Sequence, residues 1–242
     1  MGPGARSQGL TVEFFAQVGQ WFANPAHWHG DGGVPNRLLE HVELSALAML
    51  VGVVIALPLG AVLGHFGVAE GLANNVSNIG RAIPSFAILV IAVQLFGIGA
   101  APAFAALVAL AVPPIFTNSY VGVHQVDPDL REASRGMGMT DLQVLFRLEM
   151  PLALPVIMAG IRTSGVNVVA TATLAALVAW GGLGRFIVDG LSQRDFVQLF
   201  AGALLVAALS LAAEAFLAAL QTLATPAGLR ARGRARLRRA LA

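Results

Sequence analysis

Cysteine is absent from this 242-residue chain, and charged residues make up only 12% of it. Without cysteine the chain can form no disulfide, no thiolate metal site and no thiol nucleophile. A soluble domain carries about 25% charged residues, whereas here 57% of all residues are hydrophobic. Lysine is absent as well, so all 15 basic residues are arginines. The composition therefore predicts an integral membrane protein.

A phosphate-binding loop for ATP is missing too. Such a loop has the pattern G-x-x-x-x-G-K-[ST] after a strand. The glycine-rich stretch GMGMTD at 136–141 has no lysine and follows no strand-like run. We therefore expect this chain to hydrolyse no ATP, to have no catalytic residues, and to hold no metal or cofactor of its own.

Five apolar segments are long enough to cross a membrane as helices, which takes about 20 residues. They are residues 44–63, 79–97, 103–122, 156–179 and 196–220. Prolines inside them are compatible with spanning helices that pack on one another, because neighbours can satisfy the freed carbonyls. The prediction is an all-α polytopic membrane protein with about five spans. Its membrane domain covers residues 41–224, between an exposed, partly amphipathic leader (1–40) and a basic tail (225–242).

Arginine positions predict the orientation, because basic residues in short loops stay on the cytoplasmic side. With five spans the termini lie on opposite sides. A cytoplasmic C-terminus puts ten of the loop and tail arginines inside and four outside. We therefore expect the N-terminus outside and the C-terminus inside. The tail sequence RARGRARLRR, residues 230–239, would then face anionic lipid headgroups, a role we favour over nucleic-acid binding.

The segment between the third and fourth spans, residues 127–151, is charged and punctuated by glycines. Asp127 can cap a helix with Pro128 in its first position, and Gly136 and Gly138 end that helix. The orientation places this segment in the cytoplasm.

A second short helix is predicted over residues 141–149. Thr140 and Gln143 fit a capping box, and Pro151 closes the helix. Its apolar stripe is formed by Leu142, Leu145, Phe146 and Leu148. The pattern leaves open whether this stripe lies on the lipid interface or docks on another protein.

The same segment resembles the EAA signature of ABC-importer permeases. The matching residues are Glu132, Ala133, Ser134, Gly138, Leu148, Met150 and Pro151. Ser134, Leu148 and Met150 are conservative departures from the family pattern. In that family the loop is a coupling helix that inserts into a groove of the cytoplasmic ATPase, so residues 127–151 are named the coupling loop. The resemblance implies a type I (MetI-like) permease fold. It also implies docking residues, namely Arg131, Glu132, Ala133, Ser134, Gly138, Leu142, Leu145, Phe146, Leu148 and Pro151.

Three further stretches resemble permeases of osmoprotectant importers for glycine betaine, carnitine, choline and proline betaine. They are AIPSFAILVI from Ala82, TATLAALVAWGGLGRFIVDGL from Thr171 and TPAGLR from Thr225. Permeases for methionine or other amino acids share the five-span plan and remain an alternative. The resemblance implies a bacterial inner-membrane complex. Its other members would be two ATPase subunits that bind ATP and Mg, a second permease, identical or a sister subunit, and an extracytoplasmic binding protein.

Two charges fall inside predicted spans at similar depth, and charges in a bilayer are functional or paired by default. We predict a structural ion pair between Arg162 and Glu214. Stand-alone secondary transport is disfavoured because the spans contain no acidic cluster. A membrane scaffold would leave the coupling loop unexplained.

Uncharged polar residues of the spans are candidates for the translocation path: Asn118, Asn167, Thr171 and Thr173. Hydrogen bonding between helices is the alternative for each of them. Trp180, Gly181, Gly182 and Gly184 predict a tight extracellular turn that contacts the binding protein. With one Tyr and three Trp, the chain is poor in the aromatic cages that hold quaternary ammonium ions, so we expect the binding protein to select the solute.

Overall fold

The computed structural model describes residues 3–68, 71, 75 and 83–225, and every regular element in that part of the chain is helical. The α-helices are α1 (Pro3–Ala23), α2 (Val34–Phe66), α3 (Ser85–Phe96), α4 (Ala100–His124), α5 (Pro128–Gly136), α6 (Asp141–Val144), α7 (Met150–Thr171), α8 (Gly184–Gln193) and α9 (Phe196–Ala224). A π-helical turn, Leu145–Glu149, joins α6 to α7, and Pro25–Trp28 and Ala172–Val178 are 3-10 segments. The all-α prediction is confirmed.

Four helical stretches of the described chain are long and apolar enough to cross a membrane: Val34–Phe66, Ala100–His124, Asp141–Val178 and Phe196–Ala224. They coincide with the first, third, fourth and fifth predicted spans. The predicted second span begins at residues 79–82, which lie outside the described residues. Its described part contains α3, an apolar helix of 12 residues.

The first spanning helix was predicted to begin near residue 44, but it begins at Val34. Two polar side chains near the start of this helix, Glu40 and His41, have hydrogen-bond partners. Arg37 Nη1 lies 2.9 Å from Glu40 Oε2, and His41 Nε2 lies 2.8 Å from the Val169 carbonyl oxygen. Polar side chains with satisfied hydrogen bonds do not force a helix to end.

The described chain divides into two compact units. The first comprises Met1–Ala48, Ser85–Leu107 and Val168–Ala212. Its buried core is formed by Trp21, Val34, Leu183, Phe186, Ala201 and Val206.

The leader is therefore not wholly exposed, contrary to the prediction. Trp21 of α1 is only 6% exposed, and its ring lies edge-on to Phe186 with 5.5 Å between centroids. Phe14 meets Phe200 in the same way at 5.4 Å. Aromatic side chains carry a large apolar area, so a few of them suffice to fix this amphipathic helix to the first unit.

The second unit comprises Met49–Pro84, Val108–Asn167 and Ala213–Ala242. Its core is formed by Ala61, Val123, Leu145, Ala153 and Ile157. Glycines let its helices approach closely, as small residues do in membrane proteins. A Cβ on Gly60 would collide with the Phe116 carbonyl oxygen, and one on Gly160 would collide with the side chain of Asn118.

Candidate functional site

The first helix of the coupling loop, α5, begins as its sequence predicts. Asp127 Oδ1 accepts the N–H of Asp129 at 3.0 Å. Pro128 occupies the first turn, where its missing N–H leaves no partner unsatisfied. The helix ends at Gly136, and the predicted boundaries of this helix are confirmed.

Gly138 follows α5 in a left-handed conformation, with φ at +85°. The N–H of Gly138 donates to Arg135 O at 2.9 Å, and the N–H of Met139 donates to Ser134 O at 3.2 Å. These two bonds form a Schellman motif, whose left-handed residue is most often glycine. No atom lies within 4 Å of the place where a Cβ would stand. Backbone conformation, not lack of space, therefore explains the glycine.

The second helix of the coupling loop opens with the predicted capping box. Thr140 Oγ1 accepts the Gln143 N–H at 3.4 Å, and Gln143 Oε1 accepts the Thr140 N–H at 2.9 Å. Across the bend, Arg135 Nη2 lies 3.1 Å from Asp141 Oδ1, and both side chains are more than half exposed. Local hydrogen bonds thus define the bend between the two helices.

Pro151 does not close the second helix, contrary to the prediction. The helix passes through the π-helical turn into α7, which runs to Thr171. At the end of the turn, Met150 N–H donates to the Leu145 carbonyl five residues back. A proline ring clashes with the carbonyl four residues before it, and a wider π turn accommodates that ring. The coupling loop therefore continues into the fourth spanning helix without a break.

The predicted apolar stripe is divided between two surfaces. Leu142 is 69% exposed and Phe146 63% exposed, whereas Leu145 is buried in the core of the second unit and Leu148 is half-buried. A π turn holds more residues per turn than an α-helix, so an α-helical spacing rule cannot assign its side chains to one face. Met137, which the sequence analysis did not select, is 76% exposed beside the bend.

The other predicted docking residues divide in the same way. Those with exposed side chains or backbone are Glu132, Ala133 and Gly138. Those that are buried or half-buried are Arg131, Ser134 and Pro151. Ser134 Oγ donates to the Leu130 carbonyl of its own helix at 2.8 Å. The buried members are thus placed to shape the loop rather than to meet a partner.

A buried charged cluster, formed by Arg131, Glu149 and His65, lies on the inner side of the coupling loop and is named the Glu149 cluster. The Glu149 side chain is completely buried, with Oε2 2.6 Å from His65 Nδ1 and Oε1 2.9 Å from Arg131 Nε. The Nε–H of Arg131 does not point at that oxygen, so this contact is an ion pair rather than a hydrogen bond. Arg131 Nη2 donates to Val123 O.

No local sequence pattern reveals this cluster, because Glu149 and His65 are 84 positions apart. Only two side chains of the Glu149 cluster, His65 and Glu149, are of a type that binds metal ions. Across the described residues, no group of three or more His, Asp or Glu side chains could hold a metal ion.

Arg162 and Glu214, the predicted intramembrane pair, lie side by side in the second unit. Arg162 Nε is 3.2 Å from Glu214 Oε1, and both side chains are about two-fifths exposed within the single chain. Arg162 Nη1 also donates to Gln221 Oε1 at 3.1 Å, and Gln221 Nε2 donates to the Pro155 carbonyl at 3.0 Å. Four polar groups therefore connect α7 with α9.

The translocation-path candidates occupy different surroundings. Asn118 Nδ2 donates to Pro114 O at 2.8 Å, and Thr173 Oγ1 donates to Ala170 O at 2.9 Å, so both side chains bond locally. Asn167 is exposed and Thr171 half-buried. Asn118 and Asn167 belong to the second unit, and the two threonines belong to the first.

The predicted glycine turn joins the 3-10 segment Ala172–Val178 to α8, a short helix that the sequence analysis did not predict. Gly182 has φ at +82°, and its N–H donates to Glu40 Oε2 at 2.7 Å. A Cβ on Gly181 would collide with the same carboxylate, and one on Gly184 would collide with Thr173. Trp180 is half-buried. Glu40, near the start of α2, thus anchors the turn by accepting a hydrogen bond from its backbone.

Known proteins resemble this chain over most of its length. A family described as "Binding-protein-dependent transport system inner membrane component" matches residues 49–225. The choline transport system permease protein OpuBB of Bacillus subtilis (strain 168) is 39% identical over 193 residues, covering 80% of this chain and 89% of that protein. The osmoprotectant import permease protein OsmW of Salmonella typhimurium is 35% identical over 204 residues, covering 82% and 95%. The glycine betaine/carnitine/choline transport system permease protein OpuCB of Bacillus subtilis (strain 168) is 38% identical over 190 residues, covering 78% and 88%.

Solved structures show the same fold. The MetNI methionine ABC transporter in an inward-facing conformation matches with a TM-score of 0.68 at 22% identity, covering 80% of this chain and 96% of that one. A crystal structure of an amino acid ABC transporter with histidines matches with a TM-score of 0.60 at 18% identity, covering 78% and 91%. At these identities the matches establish the fold alone, and the predicted MetI-like fold is confirmed. The chain is an integral membrane protein that belongs to the family of inner-membrane components of binding-protein-dependent transport systems.

Proposed function

We propose that the chain is the permease subunit of an ATP-driven ABC importer that carries a quaternary ammonium compatible solute across the bacterial inner membrane. Choline, carnitine, glycine betaine and proline betaine are the candidate solutes. Three relatives support this class, since their names specify choline, glycine betaine, carnitine or osmoprotectants. The solute would be delivered by an extracytoplasmic binding protein.

The observation that carries the proposal is the exposed apolar surface of the coupling loop, formed by Met137, Leu142 and Phe146 and named the docking face. Each of these side chains is more than three-fifths exposed, although the backbone around them is held by a Schellman motif and a capping box. Ordered, exposed apolar side chains indicate a partner surface. In this family that partner would be the ATPase, which binds ATP and Mg.

The proposed assembly has two ATPase subunits under two permeases, and the second permease is either an identical copy or a sister subunit. ATP binding would close the ATPases, and the docked coupling loops would move together with the spans. The arginine distribution supports a cytoplasmic C-terminus. No nucleic acid is involved in this proposal.

Within the spans, Asn118, Asn167, Thr171 and Thr173 remain our candidates for the path. Because Asn118 and Thr173 donate to carbonyls four and three residues before them in the chain, Asn167 and Thr171 are the two more available candidates. We assign a structural role to Arg162 and Glu214, because their contact joins two helices.

The docking face can be tested by single-cysteine labelling, because the native chain has no cysteine. Phe146→Cys reports on the docking face, and Leu191→Cys on α8 is the matched control, since both native side chains are 63% exposed. Adding the ATPase should protect Cys at 146 from a thiol reagent and leave the control unchanged. Equal labelling of both sites with and without the ATPase would contradict the proposed docking.

The alternative substrate class, methionine or another amino acid, shares the fold of the solved transporters. Competition separates the two classes in proteoliposomes that contain the full complex. Excess unlabelled choline or glycine betaine should suppress uptake of labelled glycine betaine, and excess methionine should not. Suppression by methionine alone would favour the alternative.

A further inference from the structure

The coupling loop has two distinct sides, which suggests how movement passes through it. The docking face carries exposed apolar side chains, whereas Glu149, on the same helical stretch, is completely buried. A partner that moves the docking face would therefore act on the rest of the chain through the contacts of the buried side.

The contacts of the Glu149 cluster reach three separate helices. His65 is the penultimate residue of α2, and its Nδ1 meets Glu149 Oε2 at 2.6 Å. Arg131, on α5, meets Glu149 Oε1 at 2.9 Å. The same guanidinium donates to the Val123 carbonyl at the end of α4, where a cation also suits the negative end of the helix dipole. Glu149 and Arg131 together thus join the coupling loop to the C-terminal ends of two spanning helices, α2 and α4.

Burial makes the contacts of the Glu149 cluster hard to replace. Glu149 and His65 are almost or completely inaccessible, and Arg131 is only 16% exposed. Water cannot easily replace a lost partner at such a site, so removing one member leaves an uncompensated buried charge. The Arg135–Asp141 ion pair on the same loop differs, because both side chains are more than half exposed and solvent screens them.

We infer that Arg131, Glu149 and His65 are positioning residues that transmit the movement of the coupling loop to the first and third spanning helices. The Glu149 cluster does not contact the ATPase in this scheme. It makes α5 and the ends of α2 and α4 move as one body with the start of α7. The inference rests on the proposed function, since it requires an ATPase to move the loop.

The test compares solute uptake with ATP hydrolysis in proteoliposomes that contain the permease, its ATPase and its binding protein. Glu149→Gln and Arg131→Met each remove one charge of the ion pair. The double variant Arg131→Met/Glu149→Gln removes both charges, so neither is left buried without its partner, and it replaces a single variant that fails to assemble. Arg135→Gln removes one half of the exposed pair and is the control. We expect the cluster variants to keep ATP hydrolysis while solute transported per ATP falls about tenfold or more, and the control to match the wild type.

Two results would overturn the inference. One is a double variant that assembles and transports as much solute per ATP as the wild type. The other is an equal loss of hydrolysis and uptake in the cluster variants, because that loss indicates assembly or docking rather than transmission. Failure of the wild-type complex to hydrolyse ATP in response to solute would instead contradict the proposed function.

Discussion

Gly138 allows a quantitative prediction because its role depends on backbone conformation alone. A Cβ there would meet nothing within 4 Å, but φ at +85° is unfavourable for other L-residues by about 1–2 kcal/mol. Gly138→Ala should therefore weaken the Schellman motif by that amount. The bend would then open about 5–30 times more often, because a change of 1–2 kcal/mol alters an equilibrium constant by that factor.

Hydrogen exchange measures this opening directly. The amides of Gly138 and Met139 donate the two bonds of the motif, so the amides at 138 and 139 should exchange about 5–30 times faster in Gly138→Ala than in the wild type. Gly136→Ala is the control. Gly136 also has open space around it and belongs to α5, where alanine favours the helix, so exchange should be unchanged or slower. Equal acceleration in both variants, or no acceleration in either, would refute the role assigned to Gly138 in the Schellman motif.

Other predictions concern the intramembrane pair and the glycine turn. The double variant Arg162→Glu/Glu214→Arg should transport more solute than either single variant, and no such recovery would contradict the structural pairing. Gly181→Ala should lower the thermal unfolding midpoint, because its methyl group displaces Glu40 from the Gly182 N–H, a charge-assisted bond worth about 1.5–3 kcal/mol. In a Glu40→Ala background the same Gly181 change should cost much less, and an undiminished cost would show that Glu40 is not the obstacle.

Local signals in the sequence predicted the coupling loop well. The Asp127 cap, the Thr140 and Gln143 capping box and the bend at Gly138 are all present. Each depends on residues within five positions of one another, so the sequence contains all the relevant information. The same holds for the four long apolar helices, which length and hydropathy are enough to predict.

Errors arose where a residue's partner is distant in sequence. Glu40 lies in a spanning helix that was predicted to begin only near residue 44, and its bond to Gly182, 142 positions away, cannot be seen in a local pattern. The burial of Glu149 against His65 could not be predicted for the same reason. Pro151 was expected to end its helix, but a π-helical turn before it keeps the helix continuous. Propensity rules describe isolated segments, and packing overrides them.

In the proposed function, ATP drives solute through this chain by way of a docked ATPase. The most direct measurement is uptake of labelled glycine betaine and choline into proteoliposomes that contain the permease, with and without the ATPase, ATP and the binding protein. Uptake of at least one solute should require all three additions. Uptake by the permease alone, driven by an imposed proton or sodium gradient, would instead indicate a secondary transporter and rule out an ATP-driven importer.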